Sequence, residues 1–352
     1  MKVLQIIDGS SFGGIAKLML DISNTIKDVD MDFLTATNIY DDWYNLGIDR
    51  KTIIGKIIYT HRLSKFLKEN KYDIVHINSA VFLFSFQVVI ISRLRGIKKV
   101  IVHSHNSKKV SLLRRIIKKV LNPLYRRITD VHLTCSKEAS LSLFTKQDDV
   151  ILLKNGIDVN EFKYNEKIRK EYRKKFNINE KLVYGHVGRF DKQKNHDFLI
   201  DLFYELQKKK DSVLLLVGTG QLEKDIKNKV KKLKLEDKVL FLGFRNDISK
   251  LLNAMDIFLF PSLYEGLGIS VIEAQTSGLT TIVSDAIPEE ANISKRFIKV
   301  DSFNLDKWVD IVSRIKIDER INSYKDTIKN GYDIKETANK LEIIYKDLMS
   351  GD

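Results

Sequence analysis

Two glutamates in the second half of the chain have a spacing and a setting that suit the binding of polyols beside an anion. Glu265 lies in a glycine-marked loop, and Glu273, with seven residues between them, lies on a helix predicted at 269–275. The loop follows a short apolar strand predicted at 257–260. A helix start presents free backbone N–H groups that bind anions, whereas the two carboxylates would repel a phosphate and accept hydrogen bonds from hydroxyl groups. The sequence therefore predicts a sugar-nucleotide site, where a diphosphate is flanked by a ribose and a hexose.

Two cations lie in the loop that follows a strand predicted at 182–187. These are Arg189 and Lys194. An arginine side chain can form a bidentate pair with a phosphate, and a lysine adds a compact positive charge. We expect both to face a phosphate; the alternative is that they are solvated loop cations. The next helix is predicted at 195–209, with Asn195 as its N-cap.

Two histidines, His103 and His105, lie at the end of a strand predicted at 98–103. Ligand sites in parallel sheets lie beyond the carboxyl ends of the strands, so either histidine can face a ligand. Alternate residues of a strand point the same way, and the spacing therefore does not choose between the two. A hydrogen-bonded structural histidine is the alternative for each. A metal site is not expected, because no third ligand follows nearby in the sequence.

Glycine loops follow two further predicted strands. Gly13 and Gly14 close the loop after the first strand, and they do not form the G-x-G-x-x-G fingerprint of dinucleotide-binding domains. Gly218 and Gly220 follow an apolar strand in the second half of the chain. A strand, a glycine loop and a helix together leave backbone N–H groups free for a phosphate. Tight turns without a ligand are the alternative.

Length and composition exclude several classes of protein. The 352 residues suffice for two domains. One cysteine, Cys135, excludes an internal disulfide framework and a thiolate zinc site, and it fits a reducing compartment. The first apolar run is too short for a signal peptide, and no run approaches the ~18 residues of a membrane span. We therefore expect a cytoplasmic protein.

The chain is basic, with 60 Lys and Arg against 46 Asp and Glu, a net charge of +14. Such a charge predicts a polyanionic partner, and no nucleic-acid-binding motif is present. The segment 93–127 contains twelve basic residues and no acidic residue. Within it, 108–121 has the spacing of a basic amphipathic helix, which predicts peripheral binding to the inner face of an anionic cytoplasmic membrane. The alternative is that the apolar stripe packs on the sheet and leaves only the charges exposed.

Predicted strands and helices alternate along the whole chain, which favours parallel α/β sheets. The other predicted strands lie at 2–8, 31–36, 73–78, 130–135, 149–153, 212–217, 239–243 and 280–284. The other predicted helices lie at 15–22, 61–70, 80–95, 109–128, 136–145, 163–180, 221–234, 304–330 and 334–348.

These motifs together resemble a known family. Glu265 and Glu273 resemble the E-x7-E signature of retaining glycosyltransferases of family 4 (glycosyl transferases group 1). Arg189 and Lys194 resemble the G-R-x4-K motif of that family. The segments 102–106, 134–139 and 154–158 look most like bacterial exopolysaccharide and capsule glycosyltransferases of the EpsF type. The resemblance covers nearly the whole chain.

The resemblance implies the GT-B fold, an α/β architecture with two Rossmann-like domains that face each other across a cleft. It implies an acceptor-side domain at 1–160 and a nucleotide-sugar-binding domain at 161–331. A helix at 332–352 would cross back onto the first domain.

The resemblance also implies roles for the candidate residues. Arg189 and Lys194 would stabilise the departing diphosphate, Glu265 would hold sugar hydroxyls and Glu273 the ribose. A histidine would position the sugar or the acceptor, and because His105 precedes Asn106, as in relatives, we favour His105. The catalytic candidates are His105, His103, Arg189, Lys194 and Glu265. The donor-binding candidates are Gly13, Gly14, Gly188, Gly218, Gly220, Phe244, Asn246, Glu265, Gly266, Leu267, Gly268, Ile269, Ser270 and Glu273.

The implied donor is a UDP-hexose or UDP-N-acetylhexosamine, and the implied acceptor is a glycan or a polyprenyl-diphosphate-linked sugar. The implied reaction retains the configuration at the anomeric carbon and needs neither a metal nor another cofactor. A nucleotide-sugar epimerase of the same fold and a glycogen-synthase-like polymerising enzyme are the enzymatic alternatives. A non-enzymatic membrane or nucleic-acid adaptor would explain the charge, but not Glu265, Arg189 and Lys194 together.

Overall fold

Both halves of the chain build a parallel sheet in the computed structural model of the protein. The structure describes residues 1–8, 14–37, 41–48, 50, 52–105, 111–317, 320 and 323–351. One unit comprises Met1–Ile157 and Gly331–Asp352, and the other comprises Asp158–Asn330. The domain boundaries expected from the sequence lie after residues 160 and 331.

The first unit contains, within its described residues, a seven-stranded parallel sheet. Its strands are β1 (Lys2–Ile7), β2 (Asp30–Thr35), β3 (Tyr44–Asn45), β4 (Ile74–Asn78), β5 (Lys99–Ser104), β6 (Val131–Thr134) and β7 (Val150–Leu152). They are ordered β3-β2-β1-β4-β5-β6-β7. The strands at the centre are buried on both faces and mostly apolar, as expected where helices cover both sides of a parallel sheet, and they also carry a few buried polar residues.

Helices cover this sheet on two faces. They are α1 (Gly14–Thr25), α2 (Ile53–Glu69), α3 (Phe82–Leu94), α4 (Leu112–Arg127) and α5 (Lys137–Leu143). Helices α2 to α5 share one apolar core, whereas α1 belongs to the core on the other face. Side-chain caps begin two of them: Thr52 accepts a hydrogen bond from the Gly55 N–H, and Ser136 accepts one from the Ala139 N–H.

The second unit also contains a parallel sheet, which has six strands among the described residues. They are β8 (Leu182–Val187), β9 (Ser212–Val217), β10 (Val239–Phe241), β11 (Ile257–Phe260), β12 (Thr280–Ser284) and β13 (Phe297–Val300). Their order is β10-β9-β8-β11-β12-β13. This is the Rossmann order, which reverses between β8 and β11. Ligands of such sheets bind beyond the carboxyl ends of the strands at that reversal.

Seven helices surround the second sheet in the part of the chain that the structure describes. They are α6 (Glu166–Lys175), α7 (His196–Lys209), α8 (Glu223–Lys232), α9 (Ile248–Ala254), α10 (Ile269–Thr276), α11 (Leu305–Ser313) and α12 (Tyr324–Lys329). Trp308 of α11 is fully buried in the same core as residues of β8, β9 and α7. Single-turn 3₁₀ segments occur at Lys192–Lys194 and Glu289–Ala291.

The last helix, α13 (Ile334–Ser350), belongs to the first unit. Its buried face, with Leu341 and Tyr345, enters the core that α1 closes. Just before it, the Ile157 N–H donates to the Tyr332 carbonyl at 2.9 Å and the Ile334 N–H donates to the Ile157 carbonyl at 2.9 Å. The segment that leaves the first unit is thus bonded to the segment that returns to it. No helix among the described residues is both long and apolar enough to cross a bilayer.

Several elements differ from the sequence prediction. Helix α2 begins at Ile53 rather than at residue 61, because Thr52 caps it. The short elements β3, β13 and α9 were not predicted, since a periodicity cannot be recognised in two to seven residues. The single helix predicted at 304–330 is two helices, α11 and α12.

Gly156 sits where the two connecting segments touch. A Cβ at this position would lie 2.5 Å from Thr337 Oγ1 and 2.7 Å from Ile334 Cα. We predict that Gly156→Ala destabilises the first unit by about 1–3 kcal/mol in urea unfolding, because backbone atoms must move. Gly351→Ala is the control, since its Cβ would make only an ordinary 3.5 Å contact. Equal unfolding midpoints for the two variants would contradict the packing argument.

Candidate active site

An ion pair that is largely shielded from water joins the two loops at the strand-order reversal of the second sheet. Lys194 Nζ lies 2.7 Å from Glu265 Oε1, and their side chains are only 16% and 6% exposed. The ammonium also lies 4.5 Å from the centroid of the Phe260 ring. The two residues meet because β8 and β11 are neighbouring parallel strands, whose carboxyl ends share one edge. Gly266 and Leu267, which follow the glutamate, are buried as well.

Arg189, the other predicted phosphate ligand, is in a different environment. Its side chain is 61% exposed and lies 3.2 Å from Asp191 Oδ2. An exposed ion pair of this kind adds little stability, so the guanidinium can leave Asp191 for another anion at a small cost in free energy. Asp191 also caps the following turn by accepting a hydrogen bond from the Lys194 N–H at 3.3 Å. Asn195 was expected to cap α7, but it adopts a left-handed conformation (φ 54°) and its side chain makes no capping bond.

Three predicted glycines bring two loops into backbone contact. Any Cβ on Gly218, whose φ is +134°, would collide with the carbonyl oxygen of Gly188, and a Cβ on Gly220 would lie 2.5 Å from the Phe190 carbonyl oxygen. The Gly188 N–H donates to Val217 O at 2.9 Å. These glycines therefore pack the loop after β9 against the loop that bears the cations. Their contact with a donor stays a prediction.

Helix α10 begins directly after Glu265 and its glycine loop. Gly268, at its N-cap, has φ +83°, a conformation that L-residues rarely adopt, and no side chain caps the helix. Ile269 and Ser270 form the first turn, where N–H groups and the helix dipole favour an anion. Ser270 is buried, and Glu273 is half-buried one turn later. The predicted binding roles of these four residues stay predictions.

The loop after β10 exposes two of the predicted donor-binding residues. Phe244 is 51% exposed, and Asn246 is exposed. The loop is shaped by Arg245, whose Nε lies 2.7 Å from Asp247 Oδ1. Hydrogen bonding to Arg245 lowers the pKa of Asp247 to about 2, against the effect of burial. This pair was not predicted, although a basic and an acidic residue two positions apart in a loop could have indicated it.

Two histidines that the sequence analysis did not select lie beneath the ion pair. His186 Nδ1 lies 2.8 Å from the Leu259 carbonyl, so this nitrogen carries the proton, and the ring stacks on Phe260 at 5.3 Å. His196 packs edge-on against His186 with ring centroids 4.7 Å apart. Burial lowers the pKa of His186 to about 3, and burial with the nearby His186 and Lys194 lowers that of His196 to about 2. The aromatic rings near Lys194 are therefore uncharged.

In the first unit, His103 and His105 are both buried at the carboxyl end of β5. Their ring centroids are 3.8 Å apart, and His103 also stacks on His76 at 5.4 Å. His105 Nε2 lies 2.9 Å from Asn78 Oδ1, whereas neither ring nitrogen of His103 has a hydrogen-bond partner among the residues that the structure describes. Burial lowers the pKa of His105 to about 3 and also lowers that of His103. His105 thus has a fixed ring position, and which of the two meets a ligand stays a prediction.

The predicted loop after β1 lies largely outside the described residues. Gly13 is not described, and Gly14 is the exposed first residue of α1. Asp8, which the sequence analysis did not select, lies at the start of this loop. It pairs with Arg50 and accepts a hydrogen bond from Ser79 Oγ at 2.6 Å. Polar groups from the ends of β1 and β4 therefore meet at the strand-order reversal of the first sheet.

Family models match most of the chain. The model for glycosyl transferases group 1 matches residues 168–334, and the model for glycosyltransferase family 4 matches residues 33–161. The glycosyltransferase EpsF of Bacillus subtilis is 30% identical over 93% of this chain and 86% of its own. The chain therefore belongs to this glycosyltransferase family, and its enzymatic activity is glycosyl transfer.

One further relative and one solved structure extend the comparison. The UDP-Gal:alpha-D-GlcNAc-diphosphoundecaprenol alpha-1,3-galactosyltransferase of Escherichia coli is 29% identical over 82% of this chain and 78% of its own. The crystal structure of Anabaena HepE in complex with UDP and glucose matches with a TM-score of 0.80 at 17% identity, covering 99% of this chain and 100% of that one. The fold is therefore GT-B, as predicted from the sequence.

Because the Lys194–Glu265 pair is buried, removing one partner should cost far more than removing both. We predict that Lys194→Met destabilises the second unit by about 3–5 kcal/mol, since it removes the cation that lies 2.7 Å from the buried carboxylate of Glu265. Lys194→Met combined with Glu265→Leu should recover most of that loss. Urea unfolding measures both effects, and Arg189→Ala, at an exposed pair, should change stability by less than about 0.5 kcal/mol. Additive losses in the double variant would contradict the ion pair.

Proposed function

We propose that the protein transfers a hexose or N-acetylhexosamine from a UDP-sugar to a glycan or lipid-linked acceptor in the synthesis of a cell-surface polysaccharide. The observation that supports this best is the buried Lys194–Glu265 pair at the strand-order reversal, next to the start of α10. The relatives point the same way, because they include a galactosyltransferase named for a UDP-Gal donor and a diphosphoundecaprenol acceptor, and the capsular polysaccharide glycosyltransferase CapH of Staphylococcus aureus.

The proposed chemistry is electrostatic stabilisation of the departing diphosphate. Lys194 supplies a positive charge that Glu265 already holds in place, so little reorganisation is needed when the donor bond breaks. Arg189 is exposed and weakly paired, and it can turn to a phosphate oxygen. The N–H groups of Ile269 and Ser270 add the positive end of α10.

The proposed reaction retains the anomeric configuration. The acceptor hydroxyl attacks from the face that the leaving group vacates, and a departing phosphate oxygen takes its proton. Glu265 accepts hydrogen bonds from sugar hydroxyls, and Glu273 accepts hydrogen bonds from the ribose. His105 or His103 positions the sugar or the acceptor. No covalent nucleophile is required.

We also propose that the reaction proceeds without a metal ion, because Lys194, Arg189 and the helix start supply the positive charge that a metal would otherwise provide. Lys194→Ala and Arg189→Ala should each lower kcat by a factor on the order of 100, measured as sugar transfer from a panel of UDP-sugars. Lys192→Ala, an exposed cation in the same loop, is the matched control and should leave kcat unchanged. EDTA should have no effect.

Three outcomes would contradict this proposal. Wild-type kcat in the Lys194 and Arg189 variants would remove the phosphate role. Activity lost in EDTA and restored by Mg²⁺ or Mn²⁺ would remove the metal-free mechanism. Formation of an epimerised sugar nucleotide without any acceptor would favour the epimerase alternative.

We further propose that the first unit binds an anionic membrane peripherally. The interpretation that the apolar stripe of α4 packs on the sheet is wrong for most of its residues, because Leu112, Leu113, Ile116 and Val120 are 52–70% exposed. Arg114, Arg115 and Lys119 are exposed on the same helix. Apolar and basic groups exposed together suit insertion into a charged interface.

Not all of the basic segment at 93–127 contributes to this surface. Arg93 pairs with Asp130 at 2.6 Å, and Arg126 pairs with Asp149, so both serve the fold. Residues 106–110 lie outside the described residues. Helix α2 adds Ile53, Ile54 and Ile57, which are 65–77% exposed at the end where α2 begins. Because the buried residues of α2 and α4 belong to one core, the two helices lie on the same face of the sheet.

Co-sedimentation with vesicles tests the membrane proposal. Each basic residue near an anionic leaflet contributes about 1 kcal/mol, so changing Arg114, Arg115 and Lys119 to Ser should weaken binding to phosphatidylglycerol-containing vesicles on the order of 100-fold. The matched control changes Lys224, Lys231 and Lys232 of the second unit, which are also exposed, to Ser. Equal binding to pure phosphatidylcholine vesicles, or equal losses in both variants, would contradict the proposal.

A further inference from the structure

The first unit contains a chain of buried polar side chains that connects α13 to the candidate histidine. Tyr345 is fully buried, and its hydroxyl oxygen lies 2.6 Å from His76 Nδ1 and 2.8 Å from Gln5 Nε2. Gln5 Oε1 lies 2.9 Å from Asn78 Nδ2, and Asn78 Oδ1 lies 2.9 Å from His105 Nε2. All five residues are buried, so each of these bonds is shielded from water.

Two long secondary contacts favour one direction of the bonds. Asn78 Nδ2 also lies 3.5 Å from the His76 carbonyl oxygen, and Gln5 Nε2 lies 3.8 Å from Met31 Sδ. Turning either amide around would place its oxygen against one of these acceptors. Asn78 therefore donates to Gln5, and Gln5 donates to the Tyr345 hydroxyl oxygen.

The tautomers of the two terminal histidines follow from this direction. Asn78 Oδ1 can only accept, so His105 Nε2 must donate and carries the ring proton. Tyr345 accepts from Gln5 and uses its own proton to donate to His76 Nδ1. Burial lowers the pKa of both His76 and His105 to about 3, so both rings are neutral at pH 7. His105 Nδ1 is then an unprotonated acceptor. It has no hydrogen bond of good geometry within the described residues, although hydrogen bonding to the Asn155 side chain raises the pKa of His105 against the effect of burial.

We propose that Tyr345 is a positioning residue that, through Gln5 and Asn78, holds His105 in the Nε2–H tautomer with Nδ1 free to accept a hydrogen bond from a substrate hydroxyl. The proposal rests on the proposed transferase function, which supplies a hydroxyl-bearing sugar or acceptor. It also gives α13 a role beyond closing the core. The tautomer matters because the Nδ1–H form would present a donor where an acceptor is needed.

Histidine-selective ¹⁵N NMR tests the tautomer without any substrate. The protein has seven histidines, and His105→Gln assigns the signal. At pH 7 the wild type should show a protonated Nε2 and an unprotonated Nδ1 at His105. An Nδ1–H tautomer, or a cationic ring, would overturn the proposal whether or not the protein transfers sugar.

Tyr345→Phe tests the positioning role. It keeps the ring but removes the donor to His76 and the acceptor for Gln5, so both tautomers of His105 should become populated. We expect kcat to fall about tenfold, with the KM of the donor nearly unchanged. Tyr125→Phe is the matched control, because Tyr125 is equally buried in the core on the opposite face of the same sheet.

The comparison separates a positioning role from a merely structural one. A Tyr345→Phe variant with a single Nε2–H tautomer at His105 and a kcat equal to that of Tyr125→Phe would overturn the proposal. A wild type with the expected tautomer but no glycosyl transfer would instead refute the proposed function and leave the hydrogen-bond chain intact.

Discussion

The ion pair between Lys194 and Glu265 is the interaction on which the candidate site of the second unit depends. Its partners come from loops 71 positions apart, and they meet only because β8 and β11 are adjacent where the strand order reverses. Two charges shielded from water are costly unless they stay together, so each fixes the other. The uncharged ring of Phe260 lies against the ammonium, and the ring of His186 stacks on Phe260. A cation placed in advance in this way can stabilise developing negative charge with little rearrangement.

The first unit holds its candidate site residues in place with neutral groups rather than with an ion pair. His103 and His105 lie at the carboxyl end of β5, where burial keeps both uncharged. The proposed hydrogen-bond chain of Asn78, Gln5 and Tyr345 determines which nitrogen of His105 carries the proton. The tyrosine comes from α13, which the chain reaches only after completing the second unit. Gly156 and the bonds between Ile157 and residues 332–334 secure that return. The positions of the histidines therefore depend on both ends of the chain.

The sequence predicted the fold class because apolar runs and helical periodicity recur strongly along the chain, and the family motifs marked the loops at the sheet edge. It could not predict that Lys194 pairs with Glu265, since nothing local relates a loop at 194 to one at 265. His186 and His196 look like ordinary strand and helix residues, and only tertiary packing places them beneath the lysine. The outward direction of Leu112 and Ile116 likewise depends on which side of α4 meets the sheet.

Calorimetric titration with UDP tests the central claim that this ion pair forms a nucleotide-diphosphate site. The decisive comparison is between the wild type and the Lys194→Met, Glu265→Leu double variant, which should remain folded because both charges are removed. We expect the wild type to bind UDP and the double variant to bind it tenfold or more weakly, about the contribution of one charge-assisted hydrogen bond. A wild type that does not bind UDP, or a folded double variant that binds it equally well, would contradict the account.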